Sequence, residues 1–181
     1  TYVAINDTTI VGGHQGIYVY GSTARVIVHN ASFVQQLSYG IWIETSSELE
    51  ISNCTFSNLP DFAIGVKSES STHVQVRNSR FDLSGMSSFG VDLSAGDRVT
   101  IANNSFNVSY YAVRALYTEN ITVEDNLCTN GTQNIMVFRV TNGWILNNTV
   151  EDSMTGFLLG SCSNVVARAN ELVLNQGEGF N

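Results

Sequence analysis

The sequence predicts an all-β, single-stranded right-handed parallel β-helix of about eight coils, forming one solenoid over residues 1–181. Three observations predict it. A unit of 22–25 residues recurs along the 181-residue chain. Apolar and polar residues alternate within each unit, and no stretch carries a helical stripe. A constant period in the low twenties marks a solenoid, whose units bury their apolar faces against one another. Alternation rich in β-branched residues marks short strands.

The repeat is plainest in "HNASFVQQLSYGIWI" at 29–43 and "SNCTFSNLPDFAIGV" at 52–66. The first strand of each unit is seen in Leu49-x-Ile51, Val74-x-Val76 and Val99-x-Ile101. Its last apolar slot runs Ile5, Val28, Ile51, Val76, Ile101, Val123, Ile145 and Ala167. A tight corner follows, occupied by Asp7, Asn30, Asn53, Asn78, Asn103, Asp125 and Asn147, where Asn tolerates a left-handed backbone. These amides are expected to bond their counterparts above and below. The eighth unit places Ala169 there, with Asn170 one position late. The second strand carries an inward marker: Ile10, Phe33, Phe56, Phe81, Phe106, Cys128, Val150 and Leu172. The third follows a small residue and begins its inward column at Ile17, Ile41, Ile64, Val91, Val113, Ile135, Phe157 and Phe180. With parallel strands about 4.8 Å apart, the rod is roughly 38 Å long.

Bulk composition narrows the function. Apolar residues make up 43% of the chain, enough for a core, while only 13% are charged. The net charge of −8 and absence of a basic stripe argue against a nucleic-acid partner. No apolar run approaches the roughly 18–20 residues of a membrane span. Thr1 begins in mid-pattern, so a fragment of a longer chain is expected.

The Asn-x-x-Phe…Gly-Ile-x-Val unit resembles the parallel β-helix repeats of the pectin-lyase-like superfamily, including its carbohydrate-binding and sugar-hydrolase repeat proteins. The resemblance covers about residues 3–181. It implies a polysaccharide or surface glycan as partner and an extracellular or cell-surface location. It also implies that any active groove lies over the third-strand column. The family's DPHD-like epimerase motif, paired aspartates and acidic calcium ligands are absent, and no cofactor or metal is expected.

The outward residues of that column include Tyr18, Tyr20, Trp42, Glu44, Gly65, Lys67, Asp92 and Arg114. On this alignment Glu44 and Lys67 share one row, and Asp92 and Arg114 share the next. Asp92 or Glu44 would serve as acid or base, with Lys67 or Arg114 neutralising a uronate carboxylate. The same residues read equally as cross-strand ion pairs on an exposed sheet. Tyr18, Tyr20 and Trp42 would grip sugar faces. Short corners leave no deep cleft, so the main reading is a structural or adhesive, glycan-contacting solenoid. A polysaccharide lyase or hydrolase using this face is the alternative. A self-associating fibre or spike stalk is the third, with Leu116, Met136, Phe138 and Leu158 as its contact strip. Tyr39, Phe62, Phe89 and Tyr111 are read as one internal or corner aromatic row.

His14, His29 and His73 fall at different repeat positions, which argues against a metal cluster. Cys128 takes a core slot, and Cys54 lies about 14 Å away, too far to bridge. Eight sequons occur, at Asn6, Asn30, Asn53, Asn103, Asn107, Asn120, Asn130 and Asn147. With the corner amides engaged in a ladder, Asn107, Asn120 and Asn130 are the glycosylation candidates. At the rod's ends Val3, Ile5 and Ile10, and Leu172 and Phe180, are expected to be covered by something outside this sequence.

Overall fold

The computed structural model describes residues 2–21, 25–83 and 85–177. Three parallel sheets wind into a right-handed β-solenoid. Sheet A runs from Tyr2–Asn6 to Ser163–Arg168 and sheet B from Thr9–Val11 to Glu171–Val173, with eight strands each; sheet C runs from Gln15–Val19 to Thr155–Gly160 with seven. Each strand pairs with its counterpart one coil away, so the sequence period becomes the inter-coil spacing. The marker column is continuous in sheet B from Ile10 through Phe33, Phe56, Phe81, Phe106, Cys128 and Val150 to Leu172. The column from Ile5 to Ala167 is continuous in sheet A.

The core follows from stacking like on like. Phe33, Phe56, Phe81 and Phe106 are fully buried, with ring centroids 4.6–4.8 Å apart and planes within 18°. Gly40, Gly65 and Gly90 lie against these rings, where a Cβ would come within 2.5–2.6 Å of Phe56, Phe81 and Phe106. The same slot holds Ala112 and Asn134 in the coils whose next marker has shrunk to Cys128 and Val150. At the ends, Val3, Ile5, Ile10 and Leu172 are half-buried against this core; Phe180 lies outside the described residues.

The corner between sheets A and B takes the left-handed backbone in every coil, with φ of 50–56° at Asp7, Asn30, Asn53, Asn78, Asn103, Asp125, Asn147 and also Ala169. The expected amide ladder forms at one pair of these residues, Asn30 Nδ2 donating to Asp7 Oδ1 at 3.0 Å, and does not continue along the others. Their side chains are exposed, and it is their backbone N–H groups that bond across coils, Asn53 to Arg77 and Asn78 to Ala102 at 3.2 Å. The ladder belongs to the next residue, which turns inward. Asn104 Nδ2 donates to Asn126 Oδ1 at 3.0 Å, Asn126 to Asn148 at 2.9 Å and Asn148 to Asn170 at 3.0 Å. Each Nδ2 also donates to a sheet A carbonyl (Val76, Ile101, Val123 and Ile145), and each Oδ1 accepts a backbone N–H from the preceding coil. Asn170 is therefore a rung in register.

Phe56→Ala should cost about 3–5 kcal/mol in a urea melt, since a buried ring is lost from a packed stack. Asn126→Ala should cost about 3 kcal/mol by the same measurement, because removing one rung leaves its buried donors and acceptors unpaired.

Candidate functional site

Sheet C presents three outward rows. The central row is Tyr18, Trp42, Lys67, Asp92, Arg114, Met136 and Leu158. On one side run Tyr39, Ile64, Phe89 and Tyr111, and on the other Glu44, Glu69, Ser94, Leu116 and Phe138. Lys67 thus stands beside Trp42, not beside Glu44, whose neighbour is Glu69. The sequence alignment slipped by two residues in this one coil. Ten positions separate Phe56 from Val66 against eight between Phe33 and Ile41, the extra length being taken up around Pro60. Ala63-Ile64 imitates the Gly-Ile step that Gly65-Val66 occupies. Gly65 is consequently buried against Phe81 and does not face outward. Phe62 leaves the aromatic row for the loop, where it is 71% exposed. Tyr39, Phe89 and Tyr111 stand on the outer face as neighbours of the charged row, not in the interior.

Those rings organise the charges. Lys67 Nζ lies 2.7 Å from Glu69 Oε1, and 5.1 and 5.6 Å from the ring centres of Trp42 and Tyr39. Burial works against the Lys67 charge, but the Glu69 hydrogen bond and nearby negative groups outweigh it and raise its pKa. Arg114 grips Asp92 with two hydrogen bonds, Nε to Oδ1 and Nη2 to Oδ2, both 2.7 Å. Its guanidinium carbon sits 4.6 Å from the Phe89 ring centre and 5.8 Å from that of Tyr111. Hydrogen bonding to Asp92 raises the Arg114 pKa against the effect of burial. Burial, reinforced by a hydrogen bond with Tyr110, pushes the Tyr111 phenol up to about 12; its hydroxyl donates to Gln133 Oε1 at 2.8 Å.

At the N-terminal end the face is aromatic and open. The Tyr18 and Trp42 centroids are 4.8 Å apart, with Tyr39 4.9 Å beyond Trp42 and Tyr20 6.3 Å from Tyr18. Tyr18 is 46% exposed and Tyr20 75%. The Tyr18 hydroxyl donates to Glu44 Oε1 at 3.3 Å. At the other end Leu116, Met136, Phe138 and Leu158 do form one strip, but each is half-buried.

This arrangement suits contact better than acid–base chemistry. Asp92 is 5% exposed and both its oxygens are held by Arg114, so it reaches no substrate proton without losing that partner. The two cations proposed to neutralise a uronate are already neutralised by Glu69 and Asp92.

The glycosylation candidates are also placed differently from expectation. Asn107, Asn120 and Asn130 are exposed, yet their amides donate to Asp82, Asp97 and Asn107 respectively at 2.8–3.0 Å. Among the described residues no three His, Cys, Asp or Glu side chains gather as a metal site. His14, His29 and His73 instead meet Ser38 Oγ, Ser52 Oγ and the Ser47 carbonyl. Cys54 and Cys128 are buried free thiols, and burial raises the pKa of both.

Comparison with known proteins agrees with this architecture. The chain belongs to the right-handed β-helix family, whose model, described as a right-handed beta helix region, matches residues 63–181. A second family model, described as periplasmic copper-binding protein (NosD), matches residues 1–112. No curated protein matches the chain. Among solved structures, a protein from Parabacteroides merdae proposed to be a glycosyl hydrolase aligns with a TM-score of 0.42 at 9% identity, covering 87% of this chain and 79% of that one. A likeness of that order says nothing of substrate. Among the described residues the copper in the NosD description finds no group of three His, Cys, Asp or Glu side chains to hold it, the imidazoles meeting oxygen partners and Cys54 and Cys128 being buried.

Arg114→Met should destabilise the fold by about 3 kcal/mol, because it strands the buried Asp92 carboxylate. Lys67→Met should cost well under half of that, since Glu69 is half-exposed and returns to water. Thermal melts of the two variants measure the difference.

Proposed function

We propose that this is an exported β-helix protein that binds a neutral polysaccharide at the Tyr18–Trp42 end of sheet C, and binds without turnover. One observation carries the reading: both cations of the central row are internally paired and stacked on rings, leaving a platform of exposed tyrosines beside Trp42 whose charged neighbour is the Glu44 carboxylate. A pyranose presents an apolar C–H face that packs on such rings. Its hydroxyls would donate to Glu44, which already accepts from Tyr18. A uronate polymer, in contrast, would meet Glu44 and Glu69 on a chain of net charge −8. The periplasmic location in the NosD description supports export, and the polar, sparsely charged composition suits an extracytoplasmic surface. The Arg114 grip on Asp92 and the open face support binding without chemistry, because nothing holds a sugar ring in reacting geometry.

Titration calorimetry against neutral and uronate-containing polysaccharides tests the proposal. Binding confined to neutral polymers is expected, with Trp42→Ala weakening it about tenfold, equivalent to about 1.4 kcal/mol. Preference for uronate polymers would overturn the neutral reading. Bond cleavage that disappears in Asp92→Asn would replace binding by catalysis. No binding to any polysaccharide would leave the face as structural sheet surface and favour the self-associating stalk.

A further inference from the structure

Seven of the eight sequons, which the binding face does not use, fall into two sets once the coils are superposed; the eighth, Asn6, ends the first strand one residue before the corner, with its Thr8 hydroxyl donating to the Asn6 carbonyl. Asn107, Asn120 and Asn130 have their amides tied to neighbouring coils. Asn30 is tied likewise, to Asp7 Oδ1 at 3.0 Å. Asn53, Asn103 and Asn147 are different. They share the left-handed corner between sheets A and B, with φ of 53–56°. They are exposed, and their side-chain amides make no hydrogen bond among the described residues. The hydroxyl that each sequon needs two residues on is Thr55, Ser105 or Thr149, all in one outward row of sheet B.

The coils in between break the sequon, and they break it in two ways. The fourth coil keeps Asn78, as the left-handed corner favours, but substitutes Arg80 for the hydroxyl residue. The sixth replaces both, with Asp125 and Leu127. A sequon written only as a by-product of the corner would recur wherever the corner Asn recurs. Of the five corner Asn residues it is lost at Asn78 alone, and with Asp125 at the sixth corner the sequons from Asn53 onward fall on alternate coils. Adjacent coils lie about 4.8 Å apart, about the width of one sugar ring, whereas alternate coils lie about 10 Å apart. The alternation therefore gives each of three branched chains room to leave the surface.

We infer that Asn53, Asn103 and Asn147 are a row of N-linked glycan acceptors along the corner between sheets A and B, an inference that rests on the chain being exported. In the attachment, the amide Nδ2 bonds to the anomeric carbon of a lipid-linked oligosaccharide. The carbon–oxygen bond to the lipid diphosphate breaks, that diphosphate departs, and Nδ2 gives up one proton. No inter-coil amide bond has to be broken at these three sites. The glycans would stand on a corner away from sheet C and leave its face uncovered.

The test is to secrete the full chain from an N-glycosylating eukaryotic cell line behind an added export signal, and to map site occupancy by peptide mass spectrometry. The added signal makes acceptor competence independent of the chain's own export, so failure of one idea is distinguishable from failure of the other. Occupancy concentrated on Asn53, Asn103 and Asn147 is expected, with each of Asn53→Gln, Asn103→Gln and Asn147→Gln removing one glycan from the intact mass. Occupancy that falls instead on Asn107, Asn120 and Asn130, spreads evenly over both sets, or is absent altogether would overturn the inference.

Discussion

Every feature of this molecule depends on the backbone hydrogen bonds between one coil and the next. Each strand has its partner 22–25 residues away, so any coil that departs from the common path leaves donors and acceptors unmet on both neighbours. That requirement explains why the corners are left-handed even where the residue is poorly suited. Thr45, Ser70, Ala95, Tyr117 and Arg139 all take φ of 50–58° at the corner after sheet C, and each donates its N–H to the following coil at 2.8–3.0 Å. The local cost of roughly 1–2 kcal/mol per left-handed residue is accepted because the alternative is a broken ladder.

The same requirement turns side-chain identity into columns. Ring lies on ring, amide on amide, and the sheet C face inherits its charge pairing from the register. Lys67 and Arg114 are supported by what lies one coil away: Trp42 on one side of Lys67, Asp92 on one side of Arg114. The sheet C face is thus a product of spacing as much as of residue type, and a two-residue change in one loop is enough to reassign its neighbours.

This is where the sequence was legible and where it was not. The marker and Ile5–Ala167 columns could be followed without error because their spacing to the preceding corner is invariant. Sheet C sits behind the corner whose length varies most from coil to coil, so the sequence pattern puts Ile64 where Val66 stands, and with it shifts the row of Lys67. The sequence did contain the remedy: Gly40, Gly65 and Gly90 stay small wherever a Phe follows, and relax to Ala112 and Asn134 where Cys128 and Val150 follow. The amide ladder was also written there, in the 22-residue spacing of Asn104, Asn126, Asn148 and Asn170. It was obscured because the exposed corner Asn next to it recurs more often. The inward turn of the second residue is a backbone property that composition does not display. The pairing of Arg114 with Asp92 was anticipated as one reading of that row; its depth of burial and its aromatic bed were not.

The uniform separation of contacting residues has a kinetic meaning. In most β-proteins, contact distance along the chain grows with the size of the sheet, and loop closure slows accordingly. Here the loop to be closed is about one coil long at every step, whether the rod has three turns or thirty. Adding a coil therefore asks the same entropy of the chain each time. Growth resembles zipping onto an existing template more than a search for distant partners. The costly event is the first pair of stacked coils, and the run of four stacked phenylalanines from Phe33 to Phe106 is where that pair would form.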